Sequence, residues 1–417
     1  MREMKDSGIE WIGKAPAKWN YVRGKYILKY MQKPVKINDG VITCFRNGEV
    51  TLRRNRREEG FTMADKEIGY QGVDVGDLVV HGMDGFAGAI GISDSRGKAS
   101  PVLNVLDSTE NKRYVMYYLR SMAYGEVFSA LATGIRVRSC DLRWNKLSEL
   151  IYPVPPLDEQ KSIVCFLDNK CSEIDVISAD IQKEIEILEQ YKRSVVTETV
   201  TKGLNPDAEM KDSGVPWIGK MPANWACIKG KYILKYMQKP VKPDDGVITC
   251  FRDGEVTLRS NRREDGFTMA DKEIGYQGID VGDLVVHGMD GFAGAIGISD
   301  SRGKASPVLN VLDSRQNKKY IMYYLRSMAY GDIFAALATG IRVRSCDLRW
   351  NKLSVLLYPV PPLEEQAEIV QYIEDTLNKV NGVIGEKKHQ LTVIDSYKKS
   401  LIYEYVTGKK EVPLYES

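Results

Sequence analysis

The chain has 417 residues, 43% of them hydrophobic and 28% charged, with a formal net charge of +3. That profile fits a soluble globular protein long enough for two or three domains with real cores. It excludes a membrane-spanning protein, since no apolar run approaches the ~20 residues a span needs, and it lacks the overall charge of a strongly basic nucleic-acid binder, so local charge patterning must decide.

The opening "MREMKDSG" has no apolar secretory segment, and the seven cysteines form no C-x-x-C pair. Free thiols in a reducing cytoplasm are expected, and zinc is not.

Taken in chain order, the first distinctive stretch is "MKDSGIEWIGKAPAKW" at Met4–Trp19, which returns as "MKDSGVPWIGKMPANW" at Met210–Trp225. The offset of 206 residues never shifts: Trp11 matches Trp217, His81 matches His287, and Trp144 matches Trp350. Between Asp39–Ser108 and Asp245–Ser314 only four of 70 positions differ: Asn47/Asp253, Arg54/Ser260, Glu59/Asp265 and Val73/Ile279. This period is too long for a solenoid and indicates a duplicated domain with its connector.

In each copy a Gly-, Val-, Ile- and Tyr-rich part comes first. Short apolar runs such as "GDLVVHG" and "GAIGISD" are broken by Gly, Asp and Ser, as strands and tight turns are. A helical stretch, "NKRYVMYYLRSMAYGEVFSALATG", interrupts them. At "YPVPPLDEQ" the prolines impose extended backbone, and a helix can start just after. Leu167, Ile174, Ile181, Leu188 and Val195 then recur every seven residues, with Ile177, Ile185 and Tyr191 filling the neighbouring positions. A strict apolar heptad is a coiled-coil seam. From Asp158 to Val200 such a helix would be roughly 60 Å long.

The second copy repeats the seam with Ile373, Val380, Ile394 and Leu401. Lys387 interrupts it, and Gly382 and Gly385 each weaken helix by ~1 kcal/mol relative to Ala, so a bend near the middle is expected. The alternative is two amphipathic helices, each packed on its own domain. Two matching seams pair more simply with each other, because each alone would expose an apolar stripe.

The fold expected is therefore α+β. Two globular domains (1–157 and 204–363) are separated by long antiparallel coiled-coil helices (158–203 and 364–417) with pseudo-twofold symmetry. The helices match one to two turns of B-DNA, at ~34 Å per turn. Apolar residues beyond the seam, such as Val164, Phe166 and Val196, are candidates for binding a partner.

Three clusters are candidates for ligand contact. "CFRNGEVTLRRNRREEG" carries Arg46, Arg53, Arg54, Asn55, Arg56 and Arg57, and its copy carries Arg252, Arg259, Asn261, Arg262 and Arg263. Arg and Asn read guanine and adenine in the major groove, and Arg also grips phosphate; the plainer alternative is a solvated charged turn. "ATGIRVRSCDLRWNKL" holds Arg136, Arg138 and Arg143, copied as Arg342, Arg344 and Arg349. Alternation puts the first two arginines of each set on one face of a strand, while Arg143 beside Trp144 also suits a structural cation–π or salt-bridge site. "HGMDGFAGAIGISDSRGKASPV" resembles a methyltransferase cofactor loop weakly. No helix follows its glycines to face a pyrophosphate, so strand–turn–strand packing is the better reading. Arg96 and Lys98, with Arg302 and Lys304, could still reach a DNA backbone. His81 reads as a local hydrogen-bonder rather than a catalytic base.

Enzyme signatures are missing: neither G-x-x-x-x-G-K-[ST] nor an N-P-P-Y or D-P-P-Y motif occurs. "PDAEMK" at Pro206–Lys211 is spaced too tightly for a PD…ExK metal site, and the first copy lacks the PD.

The repeated opening, the "YPVPPLDEQ" and "YPVPPLEEQ" helix starts, and the junction "QYKRSVVTETVTKGLNPDAEMKDSGVPWIG" together resemble the specificity subunits of Type I restriction–modification enzymes, over essentially the whole chain. The resemblance implies a non-enzymatic, cytoplasmic, double-stranded-DNA-binding subunit. Two target-recognition domains each read half of a bipartite site, and the helices space them and bind two modification subunits. Those partners carry S-adenosylmethionine and methylate adenine. Restriction subunits, with ATP and Mg, translocate and cleave. The chain itself would hold no cofactor or metal. Family motifs do not fix base-contacting residues, so the arginines above rest on chemistry alone. Near-identical domains related by a twofold axis would read an interrupted palindrome. The alternative is a stand-alone repressor or architectural protein, which the modest net charge disfavours.

Overall fold

The computed structural model describes residues 2–56, 67–130, 142–262, 274–337 and 348–413. The chain forms two compact units, Met1–Ile181 with His389–Ser417, and Gln182–Lys388. The division falls inside both long helices, Leu157–Lys202 and Leu363–Val406. The architecture is α+β with a long helix pair, as the sequence predicts.

The first unit is built on an antiparallel sheet in the order Leu28–Tyr30, Leu103–Ser108, Leu78–His81, Ile90–Ile92. Leu78, Val80, Ile90 and Leu106 join the core on one face, while Val79, Leu103 and Val105 join a second core on the other. Both faces are covered, so the central strand reads as a continuous apolar run rather than an alternating one. One face is covered by the helix Lys112–Tyr124, through Tyr114, Tyr118, Leu119 and Met122. The hairpin Ile42–Cys44/Val50–Leu52 and the pair Gln71–Val73/Gly97–Ala99 supply the other core.

The Asn111 side chain caps the domain helix by accepting from the Arg113 and Tyr114 N–H groups. The helix ends at Tyr124. Glu126 takes a left-handed φ of 57°, and Val127–Ala130 is a separate turn, so the helical stretch is shorter than expected. The second unit repeats these elements, with sheet order Leu234–Tyr236, Leu309–Ser314, Leu284–His287, Ile296–Ile298 and the domain helix Lys318–Tyr330.

Strand Ile151–Val154 pairs with Asn20–Arg23 and delivers the chain to Pro155 and Pro156, after which the first long helix begins. Gln160 locks that start. Its amide donates to the Pro155 carbonyl at 2.9 Å, and its oxygen accepts the Asn111 N–H at 3.0 Å.

Within the first unit, the end of the second long helix lies beside the start of the first. Phe166 and Tyr405 rings sit 4.4 Å apart, and Lys398 pairs with Asp175 at 2.6 Å. Within the second unit Lys387 pairs with Glu184. Rising numbers on one helix meet falling numbers on the other, so in both units the helices run antiparallel. The second helix is continuous through Gly382 and Gly385.

Two expectations about helix faces need correction. Val164, Phe166 and Val196 are buried, not exposed. Val164 and Phe166 belong to the first unit's core and Val196 to the second's, because each domain seats part of a long helix. Conversely, Ile185 is buried as part of the seam, but Ile177 and Tyr191 are exposed. Among the described residues no helix is long and apolar enough to cross a membrane.

Candidate nucleic-acid interface

The basic cluster of the first unit hangs on the hairpin Ile42–Cys44/Val50–Leu52 and the single 3-10 turn Arg53–Asn55 that follows it. The hairpin tip is held close to the sheet. A Cβ on Gly91 would come 1.9 Å from the Gly48 carbonyl oxygen, and Gly48 itself has φ of 84°. Only glycine permits that approach and that backbone region.

Around the tip the arginines are aimed rather than loose. Arg46 donates to Asp84 at 2.9 Å. Asp84 is placed by His81, whose Nδ1 accepts the N–H groups of Met83 and Asp84 at 3.2 and 2.9 Å. His81 is thus a turn-former, with burial pushing its pKa down, and its acceptor Nδ1 leaves the proton on Nε2. Arg53 Nε donates to the Thr43 hydroxyl at 3.4 Å, and Asn55 to the Thr51 hydroxyl at 2.9 Å. The Arg56 guanidinium lies 4.2 Å over the Phe45 ring. The second unit repeats this through Arg252–Asp290, Arg259–Thr249, Asn261–Thr257 and Arg262 over Phe251. Arg54 is exposed, and Ser260 stands in its place. Cys44 and Cys250 beneath the hairpins are pushed up to about 12 by burial, so both thiols stay protonated and inert.

Other candidate residues have different occupations. Arg96 bridges Asp39 at 2.8 Å and Asp74 at 2.5 Å and also donates to the Pro34 carbonyl; Lys33 adds Asp74 and Asp77 at 2.7 Å each. Arg302 repeats the arrangement with Asp245 and Asp280. These networks tie loops to strands inside the domain. Hydrogen bonds from Lys33 and Arg96 hold the Asp74 carboxyl down to about 2. Lys98 pairs with Glu67 at 2.6 Å, and Lys304 occupies the same place in the strand Gly303–Ala305. Arg143 and Arg349 precede one-turn helices, Trp144–Leu147 and Trp350–Leu353. Trp144 stacks near Tyr30, and Trp350 near Tyr236, with centroids 6.0 Å apart in each. Arg57, Arg136, Arg138, Arg263, Arg342 and Arg344 lie outside the described residues. The glycine-rich segment is strand, one-turn helix Gly85–Ala87, strand, as packing predicts.

Sequence reasoning missed a groove beside this cluster. In the first unit a cavity of about 920 Å³ is lined by Arg46, Asn47, Phe86, Tyr124, Lys398 and Lys399 among others. Its counterpart in the second unit, about 640 Å³, is lined by Arg252, Asp253, Phe292, Tyr330, Lys192 and Arg193. Lys399 sits 5.6 Å over Tyr124, and Arg193 5.6 Å over Tyr330. The helices thus add cations to the same face that carries Arg46 and Arg252. The sequence signal was available: at the 206 offset Lys192 matches Lys398 and Arg193 matches Lys399.

The grooves also carry acids, Glu126, Asp175 and Asp395 in the first and Glu189, Asp253 and Asp332 in the second, and Lys398 and Lys399 are paired with Asp175 and Asp395. The basic character therefore lies with the hairpin arginines, and comparison with known proteins gives them a context. The MjaVIII specificity subunit of a type I restriction enzyme from Methanocaldococcus jannaschii is 25% identical over 428 residues, spanning 96% of this chain and 94% of that one. The chain's relatives are type I restriction enzyme specificity subunits. A second such specificity subunit, EcoBI of Escherichia coli, is 24% identical over 364 residues, 80% of this chain and 73% of its own. A chain from a structure of the type I restriction–modification system, solved to address its assembly and conformational transition, has a TM-score of 0.68 at 12% identity. It covers 95% of this chain and 99% of that one, a likeness of fold. No family model matches the chain.

Proposed function

We propose that this chain is the DNA-specificity subunit of a type I restriction–modification complex. It is non-catalytic, and each globular domain reads one half of a bipartite target. The observation that carries the reading is the duplicated basic hairpin and turn, set beside helix cations in the same way in both units. The specificity-subunit relatives supply the context.

Because the domains are near copies, the two half-sites should share a sequence. Two like domains in one chain suit an inverted arrangement of half-sites, hence an interrupted palindrome. In this reading Arg46, Arg56, Arg252 and Arg262 face DNA, with Arg53, Arg54 and Arg259 on the flanking turn. Arg contacts of this kind serve phosphate and guanine alike. Two modification subunits supply adenine methylation and bind S-adenosylmethionine; restriction subunits supply ATP- and Mg-dependent cleavage.

Co-expression with adenine-methyltransferase subunits, followed by genome-wide mapping of methylated adenine, tests this. One interrupted palindrome, methylated on both strands only when the chain is present, is the expected result. Two unrelated half-sites would remove the palindrome. Absence of methylation with tight sequence-specific binding by the chain alone would replace the reading with a repressor.

A further inference from the structure

The two basic hairpins are copies in backbone but not in charge. In the first domain Arg56 donates to the Asn47 amide oxygen at 3.2 Å and meets one carboxylate, Glu49, at 3.2 Å. In the second, Arg262 grips both oxygens of Asp253, at 3.1 and 2.6 Å, and meets Glu255 at 3.1 Å. The arginine stays over its phenylalanine at the same 4.2 Å in both, so geometry is preserved while its counter-charge doubles. Burial opposes ionisation of Asp253, yet hydrogen bonds from Arg262 and the backbone hold its carboxyl below the usual range.

Arg54, exposed on the 3-10 turn, becomes Ser260. The described face of the first domain therefore sets Arg46, Arg53, Arg54 and Arg56 against two carboxylates, Glu49 and Asp84. The second sets Arg252, Arg259 and Arg262 against three, Asp253, Glu255 and Asp290.

We propose that the first domain grips the phosphate backbone of its half-site more tightly than the second, and that Asn47/Asp253, with Arg54/Ser260, sets the difference. This rests on the DNA-reading function above. A phosphate approaching Arg262 must displace a bidentate carboxylate, the strong form of an arginine ion pair. A phosphate approaching Arg56 displaces a neutral amide and one monodentate contact. Each cation freed for phosphate adds ~0.9 to the slope of log K against log salt on duplex DNA. The asymmetry is invisible in bases, so a palindromic target would still be bound with one strong and one weak half.

The test uses the full chain, a duplex carrying the mapped target and a scrambled duplex of equal length, with affinity measured across a salt series. D253N/S260R should bind the target more tightly than wild type and steepen the salt dependence by about 2. D253N alone, which adds no cation and only releases Arg262, should give about half of that steepening. N47D/R54S should weaken binding and flatten the dependence by a similar amount. All four side chains are exposed, so unchanged melting of the variants confirms that the effect lies at the DNA. Wild-type slopes in all variants, while wild type still prefers its target over the scrambled duplex, would overturn the inference and leave the function standing. Loss of that preference in wild type would overturn both.

Discussion

Ile402, near the end of the second long helix, is fully buried in the core of the first domain, together with Leu401, Tyr405 and Val406. The Val406 carbonyl there accepts a hydrogen bond from Tyr114 across 292 residues of sequence. Ile402→Ala should therefore damage the first domain. Removing the buried methyl and methylene groups forfeits about 0.8 kcal/mol each in transfer. The cavity left behind raises the total to about 2–5 kcal/mol. For a unit of this size each kcal/mol lowers Tm by about 2–4 °C, so a fall of roughly 6–12 °C is expected for a loss near 3 kcal/mol. Tyr397, about one turn earlier and 56% exposed, provides the control; Tyr397→Ala should stay within about 0.5 kcal/mol. Urea or thermal melting followed by tryptophan fluorescence reads both units together, since each holds three tryptophans, Trp19 and Trp225 among them buried. Equal, small effects of the two substitutions would refute the seat and return the helix to a free-standing spacer.

Gly382→Ala and Gly385→Ala should each stabilise the chain by about 1 kcal/mol, since an added Cβ meets nothing within 4 Å at either site; Tm checks this. Gly91→Ala should cost at least about 2 kcal/mol, because its Cβ would meet backbone at the Gly48 carbonyl rather than a movable side chain; denaturant melting checks it. Arg96→Leu should destabilise the first domain most at neutral pH. Asp74 is held at about 2, below the usual ~3.9, so the stability it contributes is present above about pH 4 and lost as pH falls towards 2. The gap between wild type and variant should therefore shrink across that acid window, and a gap that widens there would contradict the ion-pair assignment.

The duplication, the proline-bounded helix starts and the mixed strand–helix character of the domains were legible because each rests on local pattern. Helix faces were less so. A heptad identifies one stripe, but each long helix buries a second face against a domain, and Val164, Phe166 and Val196 carry it. Nothing in the period separates those positions from a partner surface. In the candidate site, residue type identified the arginines but not their counter-ions. Asp39 lies 57 residues from Arg96 and Asp84 38 from Arg46, distances at which sequence carries no pairing signal. Comparing the two copies picked out Asn47/Asp253 as a difference, but not the partner through which it acts, Arg56 nine residues on.

The internal repeat serves as an alignment of two, and it separates what the fold requires from what it leaves open. The long helices differ widely in sequence, yet most of the positions they bury near their ends match at the 206 offset, Phe166 and the exposed Tyr372 being an exception. Gln160 and Gln366 are both fully buried and both donate to the proline carbonyl five residues earlier. Ile163 and Ile369, Leu167 and Ile373, Val196 and Ile402, and Val200 and Val406 are buried pairwise. Tyr114 donates to the carbonyl of Val406, and its counterpart Tyr320 to that of Val200. Each domain thus presents the same seat to the start of its own helix and the end of the other, and close packing tolerates little change in what fills it. Outside the seat the constraint lapses. Val176 stands where the second helix has Gly382, and Ala179 where it has Gly385, and all four positions are exposed. A glycine there costs helix propensity but disturbs no packing, so the two helices diverge where only water meets them.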